Sequence, residues 1–391
     1  MSGLSRRVGL GGGSIIGGRV TMALDPDALR SLATRRQVVL VTGTNGKTTT
    51  SHMVAAALRS LGLVAHNASG SNMADGALAA LTDALDAEWA VLEVDELHLA
   101  GVASATDPAA MVILNLTRDQ LDRAAEVRRT AAAIARAVVA HPQTTVFANA
   151  DDPMVVWAAS EAVRPVWVGA GSVWRSDTVG CPSCGRSLTE SATGWHCECG
   201  LTRPSPSWWL EDDIAHGPGV SSRLALSLPG QFNLGNALMA LAASVTAGVE
   251  PEAAIAKISA LSRVAGRYAR IQYGRHTLRL LLAKNPAGWA ATIAMLDGSR
   301  PVVVAVNARE ADGRDTSWLW DVEFERLVGR VVAASGERAA DLGVRLSYAG
   351  IPHVTNTDPL AALAEFLEGE VDVVANYTAF HSLYRRLERA G

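Results

Sequence analysis

The stretch Val38-Val39-Leu40-Val41-Thr42-Gly43-Thr44-Asn45-Gly46-Lys47-Thr48-Thr49-Thr50 decides how this chain is read. An apolar, β-branched run stops at a glycine turn, and a helical pattern follows from Ser51 to Leu61. That is a strand, a loop and a helix N-terminus, where free N–H groups and the helix dipole favour an anion. Lys47 can reach terminal phosphates and the Thr48 hydroxyl can hold Mg²⁺. The loop is shorter than the general phosphate-loop pattern, whose first glycine would fall on Val41. Gly43, Thr44, Asn45, Gly46, Lys47, Thr48 and Thr49 are the candidate nucleotide-binding residues, with Lys47 expected on an exposed loop.

Working outward, 391 residues predict two or three domains. The 49% hydrophobic content supports a sizeable core, and a net charge of −4 gives no general pull toward nucleic acid or anionic membrane. Lys47, Lys257 and Lys284 are the only lysines. The N-terminal stretch, broken by Gly17, Gly18 and Arg19, is too short and interrupted for a signal segment, and no run reaches transmembrane length. The expectation is a cytoplasmic protein with at most peripheral membrane contact.

The chain reads as an α/β protein. Residues 1–35 form a lead-in, with a short helix expected around Leu29 and Leu32. Residues 36–262 form a central domain whose apolar strands (near 38–42, 90–94, 111–115 and 144–148) alternate with alanine-rich helices. Such strands argue a parallel sheet covered on both faces. A strand over Leu224 to Leu228 and helices over Asn233 to Ala247 and Pro251 to Leu261 complete it. Residues 263–391 form a second α/β domain, with strands near 277–282, 301–306, 330–334 and 372–375.

An insertion at about 172–206 holds all four cysteines, Cys181-Pro182-Ser183-Cys184 and Cys197-Glu198-Cys199. Two close pairs, each beside a glycine, suit tetrahedral Zn²⁺ on two knuckles. His196 is the spare ligand candidate. A redox dithiol pair is the competing reading. Glu93 ends the strand Trp89-Ala90-Val91-Leu92-Glu93, where a carboxylate beside a phosphate loop can bind Mg²⁺. Asp95 and Glu96 compete with it. Asn115 to Arg123 and Asn149-Ala150-Asp151-Asp152-Pro153 follow the next two strands. Their polar side chains suit either a nucleoside crevice or plain turns.

Taken in order, the motifs resemble the Mur ligase superfamily, the ATP-dependent amide-forming ligases of peptidoglycan synthesis. The carrying residues are Gly43 to Thr49, Glu93, Asn115 to Arg123, Asn149 to Pro153, Gly230 to Asn236, Gly266-Arg267 and Ala283-Lys284-Asn285-Pro286. The resemblance implies a Mur ligase-like central P-loop domain, here with an inserted four-cysteine zinc ribbon, and a C-terminal Rossmann-like domain. It implies that Asn149, Asp152, Asn233 and Asn236 hold the adenosine end, although capping and turn formation would explain the same residues. It places Arg267 with Lys47 against the transferring phosphoryl group.

Departures narrow the family. About 40 residues precede the phosphate loop, too few for a UDP-binding domain. Gln120 stands where amino-acid-adding ligases have a histidine, and no lysine lies between Lys47 and Lys257 to bridge a second metal. One Mg²⁺ on Thr48 and Glu93 is therefore expected. The ribbon, the segment Ala283 to Gly288 and the run Ala311-Asp312-Gly313-Arg314-Asp315-Thr316-Ser317-Trp318 resemble the MurT branch, the ligase-like subunits of lipid II isoglutaminyl synthase. That branch pairs with GatD, a class I glutamine amidotransferase, and amidates the D-glutamate α-carboxyl of lipid II.

The resemblance assigns Asp315 as the carboxylate that completes a catalytic triad with the partner's cysteine and histidine, with Asp312 and Asp321 as alternative acids. Trp318 and Trp320, in a polar stretch, read as interface anchors. Three other readings compete: a folylpolyglutamate synthase-like ligase of the same superfamily, a zinc-ribbon nucleic-acid-binding ATPase, and a degenerate, non-catalytic Mur-like scaffold.

Overall fold

The computed structural model describes residue 21 and residues 24–68, 71–118, 127–171, 180–191, 194–262, 268–296, 298 and 300–390. These residues form two compact units, the first ending at Ser262 and the second containing Tyr268 to Ala390.

In the first unit, α1 (Ala28–Ala33) precedes β1 (Gln37–Thr42), in which every residue after Gln37 is buried. A strand so enclosed needs cover on both faces, and the chain alternates to provide it. The order is α2 (Lys47–Leu58), β2 (Val64–His66), α3 (Ala74–Asp83), β3 (Trp89–Glu93), α4 (Leu99–Thr106), β4 (Ala110–Ile113), α5 (Val127–Ala140), β5 (Thr145–Asn149), α6 (Pro153–Ala158) and β6 (Arg164–Gly169). A hairpin, β7 (Thr189–Ser191) and β8 (Gly194–His196), stands apart. Then come β9 (Trp208–Glu211), β10 (Ile214–Gly217), β11 (Val220–Arg223), α7 (Gln231–Thr246) and α8 (Pro251–Ser259).

The main sheet runs β11-β10-β9-β6-β5-β4-β1-β3-β2. Its strands from β6 to β2 are parallel, and β9 to β11 extend it as an antiparallel meander. Helix α2 packs on α7 and α8, while α1, α3, α4, α5 and α6 pack on one another. The connection leaving β1 goes to one side of the sheet and that leaving β4 to the other. In an open α/β sheet, ligands bind in the crevice at such a reversal.

The expected strand over Leu224 to Leu228 is loop; the strand ends at Arg223. Leu224 N still bonds Asp213 O, but Leu226 N turns back onto Leu224 O and breaks the ladder. Leu224 and Leu228 are buried, so apolar character there reports burial rather than extension.

The second unit holds β12 (Tyr268–Tyr273), β13 (His276–Leu282), α9 (Pro286–Ala294), β14 (Val302–Ala305), β15 (Val332–Ser335), α10 (Ala339–Tyr348), β16 (His353–Thr355), β17 (Gly369–Ala375) and α11 (Tyr377–Ala390). Its sheet runs β12-β13-β17-β14-β15-β16, parallel except for β12. Asn285 caps α9, accepting from Gly288 N at 2.8 Å, with Pro286 at the first helical position. This explains the Asn285-Pro286 pair locally. Trp289 is fully buried and stacks on Trp318, ring centroids 5.6 Å apart. Trp318, 7% exposed, is therefore a core residue and not the interface anchor its polar neighbours imply. Trp320 in the same 3-10 turn is 55% exposed.

Candidate functional site

The loop after β1 crosses to β4 and is stitched there. Thr44 N donates to Asn115 O, and Thr117 N donates to Thr44 Oγ1, which donates in turn to Thr117 O. Asn45 N donates to Asn115 Oδ1 at 2.9 Å, and Asn115 Nδ2 returns to Asn45 O at 2.9 Å. The polar residues after two strands thus form one rigid seam at the crevice.

Two glycines make the loop possible. Gly43 has φ 132°, and a Cβ there would lie 3.0 Å from the Asn115 backbone. Gly46 has φ 88°, and a Cβ would lie 2.4 Å from Asn236 Oδ1. A left-handed backbone and close approach each require glycine. The second contact also brings the start of α7 onto the loop. Asn236 Nδ2 donates to Asn233 Oδ1 at 3.2 Å, and Asn233 Nδ2 to Pro229 O at 2.6 Å. Thr49, the third helical residue, completes the loop's entry into α2.

Lys47 is the first residue of α2 and is 5% exposed. The expectation of an exposed loop lysine is thus corrected. Its ammonium folds back onto Gly43 O and pairs with Glu96 at 3.2 Å. Glu96 therefore serves the lysine, while Asp95 caps its own turn by accepting from Leu97 N. Glu93, 2% exposed, pairs in register with Val41 at the end of β1. Its Oε2 is buried and has no hydrogen-bond partner. A buried carboxylate oxygen without a partner is costly unless a cation meets it. Glycines a Cβ would clash with, a buried ammonium and this oxygen fit a phosphate chain with Mg²⁺.

One group near this site is absent from any sequence motif. Asn67, just after β2, donates to Glu93 O and accepts from Glu93 N, both at 2.8 Å. A buried asparagine after an apolar strand is the only sequence signal it leaves.

Asn149 and Asp152 lie at the end of β5. Asp152 caps α6, accepting from Met154 N and Val155 N, and its other oxygen accepts from Leu116 N at 2.8 Å. Burial pushes its carboxyl up to about 6, against those three N–H donors. Asn149 Nδ2 donates to Gly171 O and its Oδ1 accepts from Asp151 N. Capping and turn formation thus engage both side chains. Arg267 lies outside the described residues, as does Gln120.

The four cysteines come together. All four Sγ atoms lie within 4.8 Å of one another, with Cys181–Cys199 at 3.6 Å and Cys184–Cys197 at 3.5 Å. Sulfurs on a tetrahedron with Zn–S of about 2.3 Å lie about 3.8 Å apart, so the cluster fits zinc. Each knuckle closes on a glycine of positive φ, Gly185 at 79° and Gly200 at 96°. Cys181 N bonds Arg186 O, and Cys197 N bonds Leu201 O. His196 is exposed on β8 and is not in the cluster. The ribbon docks on the β5 turn: Trp195 Nε1 donates to Ala150 O, and Arg203 pairs with Asp151 at 2.7 Å.

In the second unit, the three candidate acids separate. Asp312 is buried and accepts from Thr378 N, Thr378 Oγ1 and Arg309 N. Asp321 pairs at 3.5 Å with Arg118, which belongs to this second unit. Asp315 is exposed and accepts from Ser317 N at 2.8 Å. That bond holds its carboxyl below the usual carboxylate range, so it is charged at neutral pH.

The sheet, the phosphate loop at its reversal and the second α/β unit define a Mur ligase, an ATP-dependent ligase that forms an amide bond. Residues 41–244 match the Mur ligase middle domain, and residues 282–380 match the MurT ligase C-terminal family. A pseudomurein peptide ligase type C from Methanothermus fervidus has the same fold, with TM-score 0.71 and 20% identity over 91% of this chain and 79% of that one. The chain is 30% identical to the MurT subunit of the glutamine-hydrolysing lipid II isoglutaminyl synthase of Staphylococcus aureus strain N315, over 99% of this chain and 95% of that protein. It is 31% identical to the MurT subunit of Streptococcus pneumoniae strain R6, over 95% and 91%. The chain belongs to the MurT family of Mur ligases.

Proposed function

We propose that this chain is the ligase subunit of an enzyme that amidates the D-glutamate α-carboxyl of lipid II to D-isoglutamine, using ammonia made by a GatD-like class I glutaminase. A carboxylate is a poor electrophile, so it must be activated. Its oxygen attacks the γ-phosphorus of ATP, ADP departs, and an acyl phosphate forms. Ammonia then attacks the acyl carbon, phosphate leaves and a proton is lost. Lys47 and Arg267 would offset charge on the transferring phosphoryl group. Mg²⁺, held by Thr48 and Glu93, would add further neutralisation. Asn233, Asn236, Asn149 and Asp152 would line the adenosine end.

The observation that carries the two-subunit reading is the cysteine cluster. A glutaminase needs a cysteine nucleophile, and every cysteine of this chain sits in the four-cysteine cluster. The glutaminase must then be another chain. Asp315, exposed and ionised, is the acid to orient that partner's histidine, and Trp320, exposed five residues on, is an anchor. No helix among the described residues is long and apolar enough to cross a membrane. Lipid II would be met at the cytoplasmic membrane face.

The test is amidation of lipid II by the purified chain with ATP and ammonium, read as the mass change of an acid-to-amide exchange. With glutamine as the only nitrogen source, no product forms until the glutaminase subunit is added. Product from glutamine with this chain alone, or none from ammonium, would overturn the reading.

A further inference from the structure

We propose that Asn67 is a positioning residue that sets the divalent-metal affinity of the ligase site by fixing the main chain of Glu93. This rests on the reading of Glu93 as a metal ligand. Strand β2 is only three residues long and sits at the sheet edge beside β3. Asn67, just beyond its end, is 5% exposed. Its side-chain amide forms both hydrogen bonds of a ladder pair with Glu93, as donor to the carbonyl and acceptor from the N–H, each at 2.8 Å. The same Nδ2 donates to Ser71 O at 2.7 Å, closing the loop that carries the chain back toward α3.

The side chain thus replaces strand pairing where strand pairing has stopped. Ladder contacts between β2 and β3 end at His66 opposite Val91, two residues before Glu93. Without Asn67, the last residue of β3 would be held on one side only, by β1. Glu93 Oε2 is buried without a partner, so its position depends on how firmly its backbone is held. His66, next to Asn67, steadies the opposite ligand. Its Nε2 lies 3.2 Å from Ser51 Oγ, which donates to Thr48 O at 3.0 Å. The end of β2 therefore braces the main chain of both residues that would hold the ion. Groups that orient metal ligands typically change metal affinity by about 10–100-fold when removed.

The experiment measures Mn²⁺ binding to the full chain in the presence of ADP, by electron paramagnetic resonance. The Mg²⁺ concentration for half-maximal ammonium-dependent amidation is measured alongside. Asn67→Ala is expected to weaken Mn²⁺ binding about tenfold or more and to raise the Mg²⁺ requirement in parallel. Activity should return at high Mg²⁺, and the melting temperature without nucleotide should stay near wild type. Asn67→Ser, which can keep one of the bonds, should fall between and serves if the alanine variant folds poorly. Wild-type Mn²⁺ affinity in both variants overturns the proposal. So does a loss of affinity that tracks a fall in melting temperature and is not rescued by Mg²⁺. Glu93→Gln separates the premises: if it leaves Mn²⁺ binding unchanged, the metal-ligand reading of Glu93 has failed instead.

Discussion

The C-terminal edges of the two parallel sheets are built on one plan and finished differently. In the first unit, the residues after β1, β3 and β4 leave a cradle: two glycines of positive φ, a buried ammonium and a carboxylate oxygen without a partner. In the second, the residues after β14 and β17 satisfy one another. Asn307 N donates to Asn376 Oδ1, Asn376 Nδ2 returns to Asn307 O, and Asn307 Nδ2 donates to Thr378 Oγ1. Asp312 closes that network on the start of α11. The first edge keeps one buried carboxylate oxygen without a partner, that of Glu93. The second uses its polar groups to hold a loop on which Asp315 stands exposed, along with Arg309, Glu310, Ala311 and Arg314. An unsatisfied edge binds, and a satisfied edge presents.

The largest expected effect breaks the first edge. Lys47→Met keeps the buried stem and removes the charge. Amidation should fall about 10²–10³-fold with either nitrogen source, the scale of losing one charge-stabilising donor. Because Lys47 is buried against Glu96, a thermal melt should also register the change, unlike an exposed loop substitution. Breaking a buried pair by removing one partner costs about 3–5 kcal/mol. Near-normal turnover of ATP would remove the phosphate-loop reading.

The next breaks the second edge alone. Asp315→Asn should cut glutamine-dependent amidation by the two-subunit complex about 10²-fold, at the low end of acid–base effects. Ammonium-driven amidation should survive. Loss of both activities together would place Asp315 in the ligase site or the fold and end the contrast between the edges. Retention of both would leave it a turn residue, accepting from Ser317.

Much of the first edge was legible because its chemistry is local in sequence. The glycines, Lys47 and Thr48 lie within a few residues, and the apolar runs around 38–42 and 90–94 mark β1 and β3. The cysteine spacing likewise predicted the cluster. What sequence missed is set by distant partners. Asn67 gains meaning only because β3 comes alongside. Lys47 is buried by Glu96, 49 residues on. Trp318 looks exposed from its neighbours until Trp289 is found beneath it. The short strands β2 and β16, of three residues each, are below what alternation can reveal.

A smaller effect sharpens the link between the ribbon and the first edge. Cys197→Ser should lose the one Zn²⁺ expected per chain, measured by metal analysis of freshly purified protein. Soluble yield should drop, and stability should fall by more than the ~1 kcal/mol of an average substitution. The loosened ribbon would no longer hold Ala150 through Trp195 or Asp151 through Arg203. Zinc absent from the wild-type protein would contradict the centre itself.

The smallest effect concerns pH and the brace behind the cradle. Burial, with the neighbouring His52 and Arg59 adding to it, pushes His66 down from 6.5 to about 3. His52 is also lowered, by burial first, although Thr48 O and Glu93 pull it up. A base depressed in the folded state binds its proton more readily when unfolded. Its neutral form therefore favours folding fully above pH 6.5, and that contribution is lost as pH falls toward 3. The slope is about 1.4 kcal/mol per pH unit for one proton. Asp152 works the other way: raised to about 6, it takes up a proton more readily in the folded state. The wild-type curve alone would mix the two. The comparison with His66→Gln isolates His66, since glutamine keeps a polar contact for Ser51 and cannot titrate. Measured by denaturant unfolding, the stability difference between wild type and variant should hold steady above pH 6.5. Below it, wild type should lose ground at about that slope. A difference that stays flat down to pH 5 would mean the His66 ring takes up its proton without disturbing Ser51 and Thr48. The brace behind the first edge would then be looser than its burial indicates.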